Sequence, residues 1–380
     1  MNTKRLQSHS RASKPVALVL ASCLLALIAV LPLAKQACAR PTSGPPPYDK
    51  LESYEKAGGH HIKALHFKNL KDHKRRNRPV EMKVYIPREG GPYPLVIISH
   101  SAGGIYDSHR FQAEHLASHG YIVICIEHVD SNNVSVKFYM SKAGGSESLR
   151  EAMHHVTTDT VAVLERPRDI SFAIDCAHIW NKSHKELAGR INIRKIAVMG
   201  HSFGAYTAMA AIGAQPVLDH LKPRTGSGKG LAGPLGDHRI SFALAMSPPG
   251  PGSKFFDEDS FKSVNKPLVM VSGSKDEQKG YDGKIMPAET RREIFPLLPP
   301  GNKYFLWLAN ADHVSFTDNH SMWLLPSASR KDVQRITKAL MVISCDHFLK
   351  GRYDARKSMK ARYIRTMRGE VVNELEWLEK

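Results

Sequence analysis

Cysteine is scarce in this 380-residue chain: there are five, and no two form a Cys-x-x-Cys pair. That excludes a disulfide-built scaffold, which would carry more of them, and a zinc ribbon, which would pair them at short spacing. No repeat is present, so solenoids and propellers are out. There is no glycine-rich phosphate or dinucleotide loop and no nucleic-acid recognition motif. Acidic residues are the minority charge, 36 against 54 Lys and Arg, which leaves a net charge of +18. The hydrophobic fraction of 42% places the chain among ordinary globular proteins rather than disordered ones.

The longest apolar run, Val16 to Leu33, sits near the start. Lys4, Arg5, Arg11 and Lys14 precede it and Ala37-Cys38-Ala39 follows it. Basic, apolar, then small-x-small is the layout of a secretory signal peptide, so residues 1–39 are expected to be one, and the protein to be periplasmic or secreted. A retained membrane anchor is the alternative, since the run is about as long as a short spanning helix. Pro32 and the small-x-small site favour cleavage. A lipoprotein site at Cys23 would fall in mid-run and is set aside. Processing would leave Cys125, Cys176 and Cys345, which lie in apolar or helical patterns and read as buried thiols. The mature chain would stay strongly basic, with clusters at His66–Arg78 and Lys350–Arg368. Weak association with anionic surfaces is one reading of that charge and plain solvation the simpler one.

Residues 40–60, with Pro45-Pro46-Pro47, read as a linker. Beyond it, short apolar runs alternate with helical patterns. The runs are Val80–Ile86, Pro94–Ser99, Tyr121–Ile126, Ile193–Met199, Ile240–Met246, Pro267–Ser272 and Tyr304–Leu308. The helices are expected at Phe111–His119, Arg166–Ile179, Phe203–Ala214, Ala288–Pro296 and Lys331–Leu349. Continuous rather than alternating apolar runs mark strands buried on both faces, and their alternation with helices predicts an α/β fold with a mostly parallel sheet. The catalytic domain is expected over 61–352. Pro223–Asp237 reads as a loop or lid, and 353–380 as a basic extension ending in a helix.

The chemistry concentrates at Ile196-Ala197-Val198-Met199-Gly200-His201-Ser202-Phe203-Gly204-Ala205. A strand running into Gly-x-Ser-x-Gly, with a helix directly after, describes a sharp turn that lifts a serine hydroxyl above the sheet. A hydroxyl is a weak nucleophile until a base takes its proton, so a carboxylate and a histidine should follow in that order, each after a strand. Asp276 follows the Pro267–Ser272 run, with Glu277 and Asp282 as rivals. His313, one of twenty histidines, follows Tyr304–Leu308. Backbone N–H groups of Phe203 and of Ala102, in the His100-Ser101-Ala102-Gly103-Gly104 loop, are the candidate oxyanion donors. His60-His61 and His154-His155 lack the spaced partners a zinc site needs, so no metal and no cofactor are expected.

The stretches "GPYPLVIISHSAGG", "AEHLASHGYIVICIEH", "RPRDISFAID", "KIAVMGHSFGAYTAMA", "KPLVMVSGSKDE" and "ADHVSFTD" resemble the dienelactone-hydrolase-like group of α/β-hydrolases. That group includes platelet-activating-factor acetylhydrolases and bacterial polyester-degrading cutinases. The likeness spans residues 80 to 350 or so. It implies Ser202 as nucleophile, Asp276 as acid, His313 as base, and Ala102 and Phe203 as oxyanion donors. Two positions depart from the group: His100-Ser101 stands where His-Gly is usual, and Ala205 replaces the second glycine after the elbow. The dienelactone hydrolases proper use a cysteine nucleophile, so their substrate is not implied. The expected activity is serine ester hydrolysis by a monomer on a small-molecule or lipid-like ester. An acyltransferase, or an inactive binding protein of the same fold, are the alternatives.

Overall fold

The computed structural model describes residues 52–380 apart from 144–147, 223–227, 281–282 and 318–325. The expected signal peptide, most of the linker and part of the Pro223–Asp237 segment therefore lie outside the described residues.

Nine strands form one sheet. In chain order they are β1 (Ile62–Phe67), β2 (Met82–Pro87), β3 (Tyr93–Ser99), β4 (Ile122–Ile126), β5 (Ile191–His201), β6 (Phe242–Met246), β7 (Leu268–Lys275), β8 (Lys303–Asp312) and β9 (Leu375–Glu379). Their spatial order is β1-β2-β4-β3-β5-β6-β7-β8-β9. Pairings from β4 through β8 are parallel; β1, β2 and β9 join antiparallel at the two edges. This is the α/β-hydrolase fold.

The apolar runs are unbroken because the sheet is covered on both sides. On β3, Leu95 and Ile97 join one apolar cluster while Val96 and Ile98 join the other. Strand side chains alternate between faces, so a run buried on both must be apolar at every position. The first cluster packs beneath the long helix Thr160–Ser183 and the helix Phe203–Ala211; the second lies beneath Arg110–Ser118 and Arg330–Phe348. Cys125, Cys176 and Cys345 are buried and unbridged. Among the described residues, no helix is long and apolar enough to cross a membrane.

Two boundaries differ from expectation. Tyr54 is fully buried in the second cluster and its carbonyl accepts a bond from His115 Nε2 at 2.8 Å, so the packed domain begins within the expected linker. The segment 353–380 is not an appendage ending in a helix. It holds two short helices, Tyr353–Ser358 and Ala361–Ile364, and ends as β9 against β8. Leu375-Glu376-Trp377 alternates apolar and acidic, the period of a strand with one buried face, and Leu375 and Trp377 are the buried pair.

Candidate active site

Ser202 sits where β5 meets the helix Phe203–Ala211. Its φ of 58° and ψ of −116° put a non-glycine residue in a strained region. The turn is tight enough to dictate its flanks. A Cβ on Gly200 would lie 2.3 Å from the Gly204 carbonyl oxygen, and one on Gly204 would lie 2.0 Å from the Ser99 carbonyl oxygen. Both positions therefore require glycine, whereas Ala205 fits inside the helix with its methyl buried. The Ser202 N–H donates to the Met246 carbonyl at 2.9 Å, fixing the turn to the neighbouring strand.

The structure brings three of the singled-out side chains into one hydrogen-bonded line. His313 Nε2 lies 3.0 Å from Ser202 Oγ, and His313 Nδ1 lies 2.7 Å from Asp276 Oδ1. Asp276 and His313 stand at the carboxyl ends of the parallel neighbours β7 and β8. Ligands bind beyond that edge in open α/β sheets. The Glu277 side chain is exposed instead. Asp282 lies outside the described residues.

Phe203 opens its helix, and the first N–H groups of a helix have no partner within it. Ala102 lines the same cavity as Ser202 and His313, a space of about 620 Å³ that also touches Met153, Phe255 and Ile285. That volume is typical of a small-molecule site. The loop carrying Ala102 is held from behind. His100 Nδ1 donates to the Ser101 carbonyl at 2.6 Å, while its Nε2 accepts from the His128 N–H at 2.9 Å. Fully buried Arg166 donates to the His100 carbonyl and, through Nε, to Thr207 Oγ1 at 2.8 Å. Its guanidinium lies 4.3 Å from the Phe203 ring centroid. One side chain thus ties the Ala102 loop to the helix bearing Phe203.

Sequence reasoning missed the groups that hold Asp276. Burial by itself would raise the Asp276 carboxyl, but the charges of Arg291 and His313 outweigh it and hold the group well below the usual carboxylate range. Arg291, itself buried, reaches Asp276 Oδ1 at 3.0 Å and donates from Nε to the Asp276 carbonyl at 2.7 Å. Its remaining N–H groups cap the carbonyls of Ser247, Pro248 and Glu277. Ser272 Oγ donates to the other Asp276 oxygen at 2.7 Å. His201, the variable residue before the serine, packs its ring 4.8 Å from that of His313. Burial, and then the proximity of His313, push His201 far below its ordinary value, so it meets His313 as a neutral aromatic surface. No local signal separates Arg291 from Arg292, which turns instead to Trp307 and Glu376.

Arg291→Gln would leave Asp276 buried without its cation, a loss of about 3–5 kcal/mol. A depressed carboxyl stabilises the fold above its unfolded value and loses that contribution as pH falls through the folded one. Without Arg291 the folded value rises, so acid unfolding followed by circular dichroism is expected to begin at higher pH. An unchanged acid midpoint would mean that Ser272 and His313 suffice to hold the charge.

Among the described residues, no group of three His, Cys, Asp or Glu side chains is placed to hold a metal ion. His60 packs edge-on against Tyr93, and His155 stacks on Tyr139. Of the His66–Arg78 basic cluster, Arg75 and Arg78 are committed to Asp72, Glu165, Asp130 and Asp169, which leaves less free charge on that surface than the sequence suggests.

Residues 59–164 match the family profile described as "Platelet-activating factor acetylhydrolase, isoform II". The chain is 26% identical over 144 residues to the platelet-activating factor acetylhydrolase of Cavia porcellus, covering 33% of each protein. It is 28% identical over 149 residues to the Canis lupus familiaris enzyme of that name, again covering 33% of each. Cutinase 1 of Thermobifida cellulosilytica is 26% identical over 144 residues, 37% of this chain and 43% of the cutinase. The chain thus spans about a third of the length of the first two curated relatives and somewhat more of the third. In fold and in these matches, the chain has the α/β-hydrolase architecture and resembles the platelet-activating factor acetylhydrolase and cutinase group.

Proposed function

We propose that the protein is a carboxylic ester hydrolase that works through an acyl-enzyme on Ser202. The observation that carries this reading is the continuous line from Ser202 Oγ through both nitrogens of His313 to buried Asp276. His313 Nε2 takes the Ser202 proton as Oγ attacks the ester carbonyl. The carbonyl oxygen, now negative, is received by the N–H groups of Phe203 and Ala102, each worth about 3 kcal/mol of barrier. The intermediate collapses, His313 returns the proton to the departing alcohol, and the acyl group stays on Ser202. Water then repeats the sequence against the acyl-enzyme and releases the acid. Throughout, Asp276 remains ionised, orients His313 and stabilises the imidazolium.

The reading draws further support from relatives that are named acetylhydrolases and cutinases, and from a cavity sized for a small or lipid-like ester. The basic–apolar–small opening of the sequence supports export.

A fluorophosphonate probe provides the test, because it phosphonylates only a serine whose proton is removed by a neighbouring base. Labelling is expected at the peptide containing Ser202, located by mass spectrometry, and it should be suppressed by a slowly hydrolysed ester. Failure to label the native protein would overturn the proposal.

A further inference from the structure

One wall of the cavity carries more positive charge than ester hydrolysis needs. Lys254 and Lys279 line it together with His154, Met153, Phe255 and Ile285. The two lysines belong to segments that are paired through their backbones, since Ser253 bridges antiparallel to Gly280. Lys279 is fixed further by its pairing with Ile285. Phe255, next to Lys254, stacks on Phe203 with centroids 5.0 Å apart, so the lysine segment abuts the helix that follows Ser202. Lys254 is half-buried and donates one of its three N–H groups to Thr157 Oγ1 at 2.9 Å. Among the described residues neither lysine forms an ion pair, and Glu277 is the single carboxylate lining the cavity. Of the two arginines that also line the cavity, Arg150 and Arg291, the latter is spent on Asp276.

Placing an ammonium in a partly desolvated wall beside a second one is unfavourable on both counts: lost hydration and like-charge repulsion. The titration behaviour agrees with the geometry. Burial, and then Lys279, push Lys254 down to about 8. His154 is pushed to about 4 by burial and by Lys254, Lys222 and Lys279, so it stays neutral and is available to donate a hydrogen bond. A neutral ester would gain nothing from this arrangement. An anion would relieve it.

We infer that the substrate is an ester that also carries an anionic group, which Lys254 and Lys279 receive while the scissile carbonyl lies at Ser202. This rests on the hydrolase reading above and specifies its substrate class.

The test compares matched esters, with the charge on either side of the bond. On the acyl side, mono-p-nitrophenyl adipate is set against p-nitrophenyl hexanoate. On the alcohol side, 4-acetoxybenzoate is set against its methyl ester. At low salt, kcat/KM is expected to favour the anion at least tenfold in one arm, which identifies the side that faces the lysines. Raising ionic strength should shrink that ratio. Lys279 is exposed, so Lys279→Glu does not threaten the fold, and it should bring the ratio to one or below; Lys254→Met should lower it at least fivefold. A ratio at or below one in both arms for the native protein, or a ratio indifferent to both substitutions, would overturn the inference. A separate arm does not need turnover. Ser202→Ala protein is titrated calorimetrically with monomethyl adipate and dimethyl adipate, with and without Lys279→Glu. Tighter binding of the monoanion, lost on charge reversal, would sustain the anion site even if no ester were hydrolysed, while equal binding would remove it with the hydrolase reading intact.

Discussion

Ser202→Ala is expected to lower kcat for p-nitrophenyl butyrate by about 10⁴- to 10⁶-fold. It should leave KM and the thermal midpoint nearly unchanged. The size follows from the chemistry: without Oγ there is no covalent step, and His313 can at best direct water. What remains comes from the N–H groups of Phe203 and Ala102, which still stabilise a developing oxyanion. The small effect on folding follows from the surroundings. Among the described residues, the one hydrogen bond of Ser202 Oγ is with His313 Nε2, at 3.0 Å, in an accessible cavity, and the strained turn is held by glycines and by the Ser202 N–H, which alanine keeps. Retention of more than a few per cent of turnover would remove Ser202 from the mechanism.

Asp276→Asn should cost about 10⁴-fold in kcat, close to the serine loss despite a change of one atom. The ionised carboxylate accepts the His313 Nδ1 proton at 2.7 Å, which keeps Nε2 unprotonated and facing Ser202 Oγ. An amide that turns its NH₂ toward Nδ1 selects the opposite tautomer, with the proton on Nε2, where it cannot accept from the serine. Arg291 reinforces the outcome. Its Nη2 lies 3.0 Å from the same Asp276 oxygen, so a neutral amide in either orientation would leave a buried cation without its counter-charge. Glu277→Gln serves as the comparison. Its side chain is exposed and, among the described residues, only its carbonyl is bound, by Arg291, so the loss should stay below about tenfold. A crippled Glu277→Gln beside an active Asp276→Asn would move the acid one residue along the chain.

The parts of this molecule that sequence conveyed are those where one local rule suffices. Six parallel strands are apolar along their buried stretches because both faces are covered, so they stood out as runs. The elbow was legible because Gly200 and Gly204 are each forced by a carbonyl oxygen too close to admit a Cβ. What escaped was set by distant neighbours. β1, Ile-Lys-Ala-Leu-His-Phe, is a half-exposed edge strand whose mixed composition offers no apolar run to mark it until β2 lies beside it. Arg291 and Arg166 are buried cations, and nothing in their flanking residues says so. Each gains its partners only when segments far apart in the chain converge. β9 carried a strand period over a few residues only, and the basic stretch Lys350–Arg368 ahead of it dominated the reading.

That last strand ties function to a segment more than sixty residues beyond His313. His313 stands just past β8, and β8 has β9 as its outer neighbour, registered from Tyr304 opposite Glu379 to Leu308 opposite Leu375. A polypeptide halted at Arg368 would hold every group assigned a chemical role and still present a bare ladder of amides and carbonyls. Such an edge invites pairing with a second molecule. Competence would then depend on residues 369–380 as well, because they supply the strand that supports the histidine.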